Sequence, residues 1–178
     1  MSAHPRTSIM PRFLRIGICV LVLFAGCAAY DGRGLVPGTS TVAEVEALMG
    51  PPTERFAKPD GGSVLFYPKG PFGRQTFAVT LGADGVLRGI EQVLTHANAM
   101  KLVVGVTTAQ QVRELFGPPS WVSHFPRQER HVWEYKWKDV EDKRVFWMQF
   151  SYDGILREAI NMHDFDSDPP GGRARSRG

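Results

Sequence analysis

The sequence is poor in cysteine, in long apolar runs and in any excess of one charge sign. Only Cys19 and Cys27 occur among 178 residues, which excludes a disulfide-rich scaffold because such a scaffold needs several cysteine pairs. The apolar segment that precedes Cys27, 16–26, has eleven residues, whereas a transmembrane helix needs about 20. Lys and Arg number 21 against 18 Asp and Glu, so the net charge is small.

The N-terminal segment has the pattern of an export signal. Arg6, Arg12 and Arg15 precede the apolar run, and small residues follow at its end. A basic region, a short apolar core and small residues before a cleavage point are typical of secretory signals. Either Met1 or Met10 can serve as the start, because both leave this pattern intact. A plain secretory signal and a signal anchor are the alternatives to the more specific interpretation that follows.

Residues 23–27, Leu-Phe-Ala-Gly-Cys, resemble the lipobox of bacterial lipoproteins, although Phe24 stands where leucine is usual. The resemblance implies that 1–26 is a signal peptide cut just before Cys27, whose sulfur is then lipidated. It also implies two or three acyl chains (palmitate among them), and each buried methylene strengthens attachment by ~0.8 kcal/mol. Because Ala28 replaces the aspartate of inner-membrane retention, the implied location is the periplasmic face of the outer membrane.

Processing changes both the charge and the cysteine count. Loss of the three signal arginines leaves 18 basic and 18 acidic residues, and three of the remaining arginines lie after residue 172. The body of the protein is therefore slightly acidic, and we expect no nucleic acid as a partner. Cys19 leaves with the signal and Cys27 is acylated. No thiol then remains for a disulfide, a metal site or a nucleophile.

The rest of the chain contains two copies of one unit. Residues 38–52 and 105–119 share the pattern Gly-x-x-Thr-x-x-x-Val-x-x-Leu-x-Gly-Pro-Pro, and an Asp-Gly-x-Leu-Arg segment recurs at 84–88 and 153–157. The offset grows from 67 to 69 residues, as single-residue loop insertions would make it. The pattern therefore predicts a duplication. The predicted segments are a short linker at 27–37, unit 1 at 38–94, unit 2 at 95–162 and a flexible tail at 163–178.

Each unit is predicted to open with a helix. Thr41 with Glu44, and Thr108 with Gln111, have the spacing of a capping box, in which each partner satisfies a free backbone amide of the other. A glycine and two prolines then end each helix, since proline cannot continue it. A further short helix is expected within 95–104.

Three strands are expected after the helix in each unit. They cover 63–68, 75–82 and 86–94 in unit 1, and 130–138, 144–152 and 155–162 in unit 2. Asp-Gly pairs before the last strand favour tight hairpins and therefore antiparallel pairing. The predicted fold class is α+β: two tandem units, each a helix plus a three-stranded antiparallel sheet. We expect the sheets to join edge to edge, with the helices on one face of a curved sheet.

Residues 100–119 resemble the SmpA/OmlA (BamE-like) family of outer-membrane lipoproteins, whose signature is Gly-x-Thr-x-x-x-Val-x-x-x-Leu-Gly-x-Pro before an aromatic strand and a hairpin. Trp133, Tyr135 and Gly154 occupy the corresponding places. The resemblance implies an accessory or scaffold in outer-membrane β-barrel assembly and envelope integrity, with envelope or barrel-assembly proteins as partners. The tandem architecture is also similar to the β-lactamase inhibitor protein. That similarity implies an alternative, an inhibitor or ligand-binding module that uses a concave sheet.

Signals of catalysis are scarce in this sequence. The histidines lack the spacing of a metal site, and Asp164, Asp166 and Asp168 are not followed by the later ligands of a calcium loop. No nucleophile elbow or Gly-rich nucleotide loop occurs. We therefore expect no enzymatic activity, no cofactor and no bound metal.

Strand alternation predicts a binding face in unit 2. Phe146, Met148 and Phe150 fall on the core face, which leaves Trp147 on the opposite face. A tryptophan flanked by polar residues is typical of a contact hot spot, although packing beneath a loop or the other unit is the alternative. The predicted partner-binding residues are Trp121, Val145, Trp147 and Gln149.

Overall fold

The computed structural model describes residues 31–70, 73–139 and 142–165, so the predicted signal and Cys27 lie outside the described residues. Unit 1 contains helix α1 (Val42–Met49) and strands β1 (Glu54–Ala57), β2 (Ser63–Pro68), β3 (Thr76–Leu81) and β4 (Leu87–Gln92). Unit 2 contains helices α2 (His96–Ala99) and α3 (Ala109–Phe116) and strands β5 (Trp121–Phe125), β6 (Arg130–Asp139), β7 (Asp142–Ser151) and β8 (Leu156–His163). A 3₁₀ turn, Pro126–Gln128, joins β5 to β6. Within these ranges, every helix is too short or too polar to cross a membrane.

The described strands form two separate antiparallel sheets, with the order β1-β2-β3-β4 in sheet 1 and β5-β6-β7-β8 in sheet 2. The α+β class is therefore confirmed, and each predicted strand is present to within about two residues. Three strands per unit is wrong, because each sheet has a fourth strand at one edge. The edge-to-edge join that would make one curved sheet, with the helices along one face, is not found among these strands.

The two unpredicted strands, β1 and β5, have little apolar patterning. Side chains along β1 alternate only between half-buried and exposed, and four of the five in β5 are exposed. Their backbones pair with β2 and β6, so that Glu54 lies opposite Phe66 and Trp121 lies opposite Glu134. Because backbone pairing rather than burial defines these edge strands, a search for hydrophobic alternation does not find them.

Both predicted capping boxes are confirmed. The Glu44 carboxylate accepts the Thr41 amide at 2.7 Å, and the Thr41 hydroxyl accepts the Glu44 amide at 3.4 Å. In α3 the equivalent distances between Thr108 and Gln111 are 2.9 and 3.1 Å. The short helix expected within 95–104 is α2.

A further backbone link ties each long helix to the hairpin of its own unit. The Val42 amide donates to the Gly85 carbonyl at 2.9 Å, and the Ala109 amide donates to the Gly154 carbonyl at 2.7 Å. Both glycines have positive φ, so the Asp-Gly turns can present these carbonyls to amides that a helix leaves free. This link explains why the threonine cap and the Asp-Gly turn recur together.

Each long helix packs against side chains of its own sheet. The core of unit 1 consists of Val45, Met49, Leu65, Tyr67, Val79, Leu81 and Leu87. The core of unit 2 consists of Val112, Phe116, Tyr135, Trp137, Phe146, Met148, Phe150 and Leu156, and Leu94 at the end of unit 1 is buried in the same cluster. The prediction that alternate residues of β7 point into this core is therefore confirmed.

The opposite face of sheet 1 is covered by unit 2. Phe66, Ala78 and Val93 form a second buried cluster on this face. Gly117, at the end of α3, lies so close that a Cβ atom there would be 2.6 Å from the Phe66 ring. Arg113 of α3 adds an ion pair, with its Nε 2.7 Å from Glu54 Oε1. The end of α3 therefore packs in the core of unit 2 and also contacts unit 1.

A second ion pair between the units is largely buried. Arg74, between β2 and β3, contacts the carboxylate of Asp164 and donates to the carbonyls of Trp137 and Arg144 at 3.3 and 3.2 Å. Asp164 is buried, and His163 still belongs to β8. Residues 163–165, the first three of the predicted tail, therefore belong to the folded body, where Arg74 contacts Asp164, and the rest of the predicted tail, 166–178, lies outside the described residues.

Candidate functional site

The face of sheet 2 opposite α3 carries large aromatic side chains in contact with solvent. Trp121 is 67% exposed, Phe125 43% and Trp147 40%. We call this surface the open face. It is defined by Trp121, Ser123, Phe125, Gln128, Val132, Glu134, Trp147 and Gln149. Exposed aromatic side chains are unusual enough at this density to indicate an interaction surface.

A groove of about 270 Å³ runs between these side chains. Its walls come from β5, β6 and β7, so the backbone of a regular sheet holds the lining residues at a constant spacing. Pockets for whole small molecules usually have volumes of ~300–1,000 Å³. A volume of about 270 Å³ accommodates one or two side chains of a protein partner.

The indole ring of Trp147 is held in one orientation. Its Nε1 donates to Glu134 Oε2 at 3.0 Å, and the two residues lie directly opposite each other on β7 and β6. The other carboxylate oxygen of Glu134 lies 3.8 Å from Lys136 Nζ. Because the ring is already oriented, binding through its exposed surface loses little side-chain entropy.

Polar residues border the aromatic groove. Gln149 donates from Nε2 to Glu158 Oε2 at 2.6 Å, which fixes the amide at the side towards β8. An apolar centre with a polar border is the usual anatomy of a protein–protein contact. The open face has this arrangement on a small scale.

Three of the four sequence-predicted binding residues come together here. Trp121, Trp147 and Gln149 all line the groove. Val145 does not, because it is only 5% exposed. Lys136 of β6 lies opposite Val145 of β7. The Lys136 Nζ lies 3.8 Å from the buried Asp164 carboxylate, so the open face ends before Val145. Val145 is therefore removed from the candidate site.

Five lining residues of the groove were not predicted from the sequence: Ser123, Phe125, Gln128, Val132 and Glu134. Phe125 lies on β5, the strand that the sequence did not predict. The sequence nevertheless contains a signal for this strand. The segment between the Pro-Pro pair and Pro126 holds three strand-favouring residues, Trp121, Val122 and Phe125. The hydrogen bond by which Glu134 orients Trp147 depends on cross-strand register, which the sequence does not show.

Histidines outside the open face form one close pair. His124 and His131 lie opposite each other on β5 and β6, with 2.7 Å between their Nδ1 atoms, and Tyr152 packs on His131. The part of the chain that the structure describes contains no group of three or more His, Cys, Asp or Glu residues arranged to hold a metal ion. Neither observation assigns a catalytic role to these residues.

Comparisons with known proteins do not assign a family to this chain. No protein-family model and no curated protein matches the chain. One similar solved structure is that of YjgB, a DUF4309 family protein from Bacillus subtilis, with 18% identity over 74% of this chain and 82% of that chain. Its TM-score is 0.29, which is too low to support an argument about fold or function.

Proposed function

We propose that this protein is a non-enzymatic, lipid-anchored lipoprotein on the periplasmic face of the outer membrane. Its proposed role is that of an accessory or scaffold in β-barrel protein assembly and envelope integrity. In this role it binds another envelope protein through the open face of unit 2. The observation that carries the proposal is the exposed, pre-oriented Trp147 beside Trp121 and Phe125. Support for the anchor comes from the lipobox-like sequence that ends at Cys27.

The chemistry of the open face favours a protein partner. Tryptophan is enriched at the centre of interfaces, where a few residues contribute most of the binding free energy. The hydrogen bond to Glu134 satisfies the indole N–H, so the exposed ring surface is left for apolar contact. A segment of a partner that places one or two apolar side chains in the groove would bury Trp147, Trp121 and Phe125 together.

The proposed anchor would also restrict where the open face can act. Only about four residues, 28–31, separate Cys27 from the folded body, because Gly32 is buried and Leu35 packs against the core of unit 1. Since an extended residue spans at most ~3.6 Å, this linker reaches no more than about 15 Å from the membrane. A partner embedded in or resting on the same membrane would therefore stay within reach, which raises its effective concentration.

Partner capture from membranes tests the proposed surface. We would compare the wild type with Trp147→Ala after purification in mild detergent, and expect at least a tenfold loss of the co-purified partner. The matched control is Tyr152→Ala, because Tyr152 is an exposed aromatic residue outside the open face. Unchanged capture by a folded Trp147→Ala protein contradicts the proposal.

The identity of the partner separates the two functional classes. Recovery of barrel-assembly proteins that depends on Trp147 supports the scaffold. Recovery of one soluble enzyme, again dependent on Trp147, instead supports the inhibitor module that the architecture suggested.

Lipidation is tested separately at Cys27. We expect wild-type protein to incorporate a palmitate analogue and to fractionate with outer membranes, and Cys27→Ala to lose both properties. Unlabelled Cys27→Ala protein in the outer-membrane fraction contradicts the lipid anchor, and an unlabelled wild-type protein held in the inner membrane favours a signal anchor. A soluble, unlabelled wild-type protein favours plain secretion.

A further inference from the structure

The β5–β6 hairpin holds two histidines against each other beside its 3₁₀ turn. His124 of β5 lies directly opposite His131 of β6, and their Nδ1 atoms are 2.7 Å apart. We call these two residues the histidine pair. Because successive residues of a strand point to opposite faces, the histidine pair lies on the other side of sheet 2 from Ser123 and Val132 of the open face. The two surfaces can therefore be tested independently.

Strand pairing, and not spacing along the chain, brings these two histidines together. The sequence contains none of the regular spacings by which metal ligands on one helix are recognised. A search for such spacings does not detect residues that meet through cross-strand register, and β5 itself was not predicted. The expectation of no bound metal therefore took no account of the histidine pair.

The histidine pair is accessible from solvent and has few protein partners. His124 is exposed and His131 is half-buried. Apart from the contact between their Nδ1 atoms, neither ring has a hydrogen bond or an ion pair with another described residue. Tyr152, itself exposed, packs on the His131 ring with the ring centres 4.8 Å apart. An ion from solution can thus approach the pair, while Tyr152 restricts the orientation of one ring.

The hairpin itself does not require histidine at these positions. In unit 1 the equivalent cross-strand residues of β1 and β2 are Ala57 and Ser63, which lie opposite each other in the same register. Strands β1 and β2 therefore pair without a metal-binding side chain at either position. Unit 2 has one at both, so the histidine pair is an addition to the shared structure.

The distance within the histidine pair favours one coordination geometry. With metal–nitrogen bonds of ~2.0–2.1 Å, two ligands at 90° lie ~2.9 Å apart and two tetrahedral ligands lie ~3.3 Å apart. The observed separation of 2.7 Å is closer to the first value. Square-planar coordination, which is typical of Cu(II), therefore needs a smaller displacement of the rings than the tetrahedral coordination of Zn(II). Cu(II) also has the higher intrinsic affinity for nitrogen ligands.

We propose that the histidine pair binds one Cu(II) ion through its two Nδ1 atoms. The proton that lies between the two nitrogens moves to Nε2 of its own ring, so both imidazoles remain neutral ligands. Water completes the coordination of the ion. Because β5 is an edge strand, the bound ion also joins this strand to β6 through a side-chain link.

Titration with Cu(II) tests this site. The protein is the chain from residue 27 onward, made without a histidine tag and with Cys27→Ala, so that no thiol competes for copper. Glycine in the buffer suppresses weak binding at the chain terminus. We expect one Cu(II) per chain and, in pulsed electron paramagnetic resonance, the signals of two imidazoles. Zn(II) should bind at least about tenfold more weakly.

The matched variants carry the residues that unit 1 has at the equivalent positions. His124→Ala and His131→Ser should each weaken Cu(II) binding at least about tenfold, because one point of attachment replaces two. His96→Gln and His163→Gln should leave the affinity within about twofold, and so should Trp147→Ala on the open face. Circular dichroism and melting curves confirm that each variant is folded.

Several results would overturn the proposed copper site. Absence of saturable Cu(II) binding is one, and unchanged affinity in folded His124→Ala or His131→Ser is another, because the ion would then be bound adventitiously elsewhere. A tenfold loss in His163→Gln would also place the ion elsewhere. A spectrum of a single imidazole, or Zn(II) bound as tightly as Cu(II), would contradict square-planar coordination by both Nδ1 atoms.

Discussion

The two units share one plan but differ in what covers the second face of each sheet. In unit 1 the second face carries Phe66 and is closed by the end of α3. In unit 2 the second face carries Trp121 and Trp147 and remains accessible. Among the described residues, the second face of sheet 1 is thus packed against unit 2, whereas the second face of sheet 2 is accessible to solvent. Duplication of a unit can in this way separate a structural role from a binding role.

Unit 2 also has the longer strands. Strands β6 and β7 have ten residues each, whereas β2 and β3 have six. Most of the extra residues lie at the β6–β7 end of sheet 2, where the carbonyls of Trp137 and Arg144 accept hydrogen bonds from Arg74 of unit 1. The following predictions alter equivalent positions in the two units, from the largest expected effect to the smallest.

The first prediction concerns the glycine that ends each long helix. Gly117 and Gly50 both have positive φ and extended ψ, so alanine is strained at either position by about 1–3 kcal/mol. Only Gly117 also contacts Phe66, since a Cβ at Gly50 would have no neighbour within 4 Å. We expect Gly117→Ala to lower the free energy of unfolding by about 3–5 kcal/mol and Gly50→Ala by about 1–3. Urea denaturation measures both, and equal losses would show that the end of α3 does not support unit 1.

The second prediction tests the ion pair between the units. Arg74→Met leaves the buried Asp164 carboxylate without its nearest cation, and we expect a loss of about 3 kcal/mol because breaking a buried pair is costly. The control is Arg33→Met, which removes an exposed pair with Asp31 and should change stability by less than about 1 kcal/mol. A similar small change for both variants contradicts a structural role for Arg74.

The third prediction compares the equivalent tyrosines. Tyr135→Phe removes the hydrogen bond to the Gly117 carbonyl, and we expect a loss of about 1–2 kcal/mol. Tyr67→Phe removes a buried hydroxyl that has no partner in the described structure, so stability should stay constant or rise. Thermal and urea unfolding measure the difference. An equal loss for both variants would mean that Tyr67 is hydrogen-bonded in solution.

The smallest expected effect concerns the pH dependence of the two capping boxes. Hydrogen bonds from the Thr41 amide, and then from its hydroxyl, lower the pKa of Glu44 below 4.5, whereas the equivalent Gln111 has no charge to lose. Because the folded-state pKa is the lower one, the contribution of Glu44 is present above the unfolded-state pKa. It is lost as the pH falls through the folded-state pKa.

Amide chemical shifts measure this difference locally. We expect the Thr41 amide to titrate in acid and the Thr108 amide to remain constant. The variant Glu44→Gln should abolish the titration at Thr41. A matching acid titration at both threonine amides would contradict the assignment to Glu44.

The helix ends and the last hairpins could be predicted because each depends on residues that are close together in the sequence. The helix ends follow from Thr41, Thr108 and the Gly-Pro-Pro segments, and the last hairpins follow from the Asp-Gly pairs. The edge strands β1 and β5 could not be predicted in this way, because backbone pairing rather than burial holds them. The separation into two sheets was equally hidden, since it involves packing between residues far apart in sequence, such as Gly117 and Phe66.

The candidate site could also be predicted only in part. Strand alternation placed Trp147 and Gln149 on the correct face, because alternation within a strand is a local property. Val145 is buried at the end of the face where Lys136 approaches Asp164, and strand alternation takes no account of such a contact. Phe125 escaped detection together with its strand. Non-local packing therefore decides which part of a predicted face is open.

Site-specific photo-cross-linking tests the central claim most directly. We would place p-benzoylphenylalanine at position 121, on the open face, or at position 152, an exposed aromatic position outside it, in cells that carry the lipidated protein. Our account predicts an envelope-protein adduct from position 121 that disappears with Trp147→Ala, and no such adduct from position 152. The same adduct from both positions, or an adduct from position 121 that persists in Trp147→Ala, would contradict a partner-binding role for the open face.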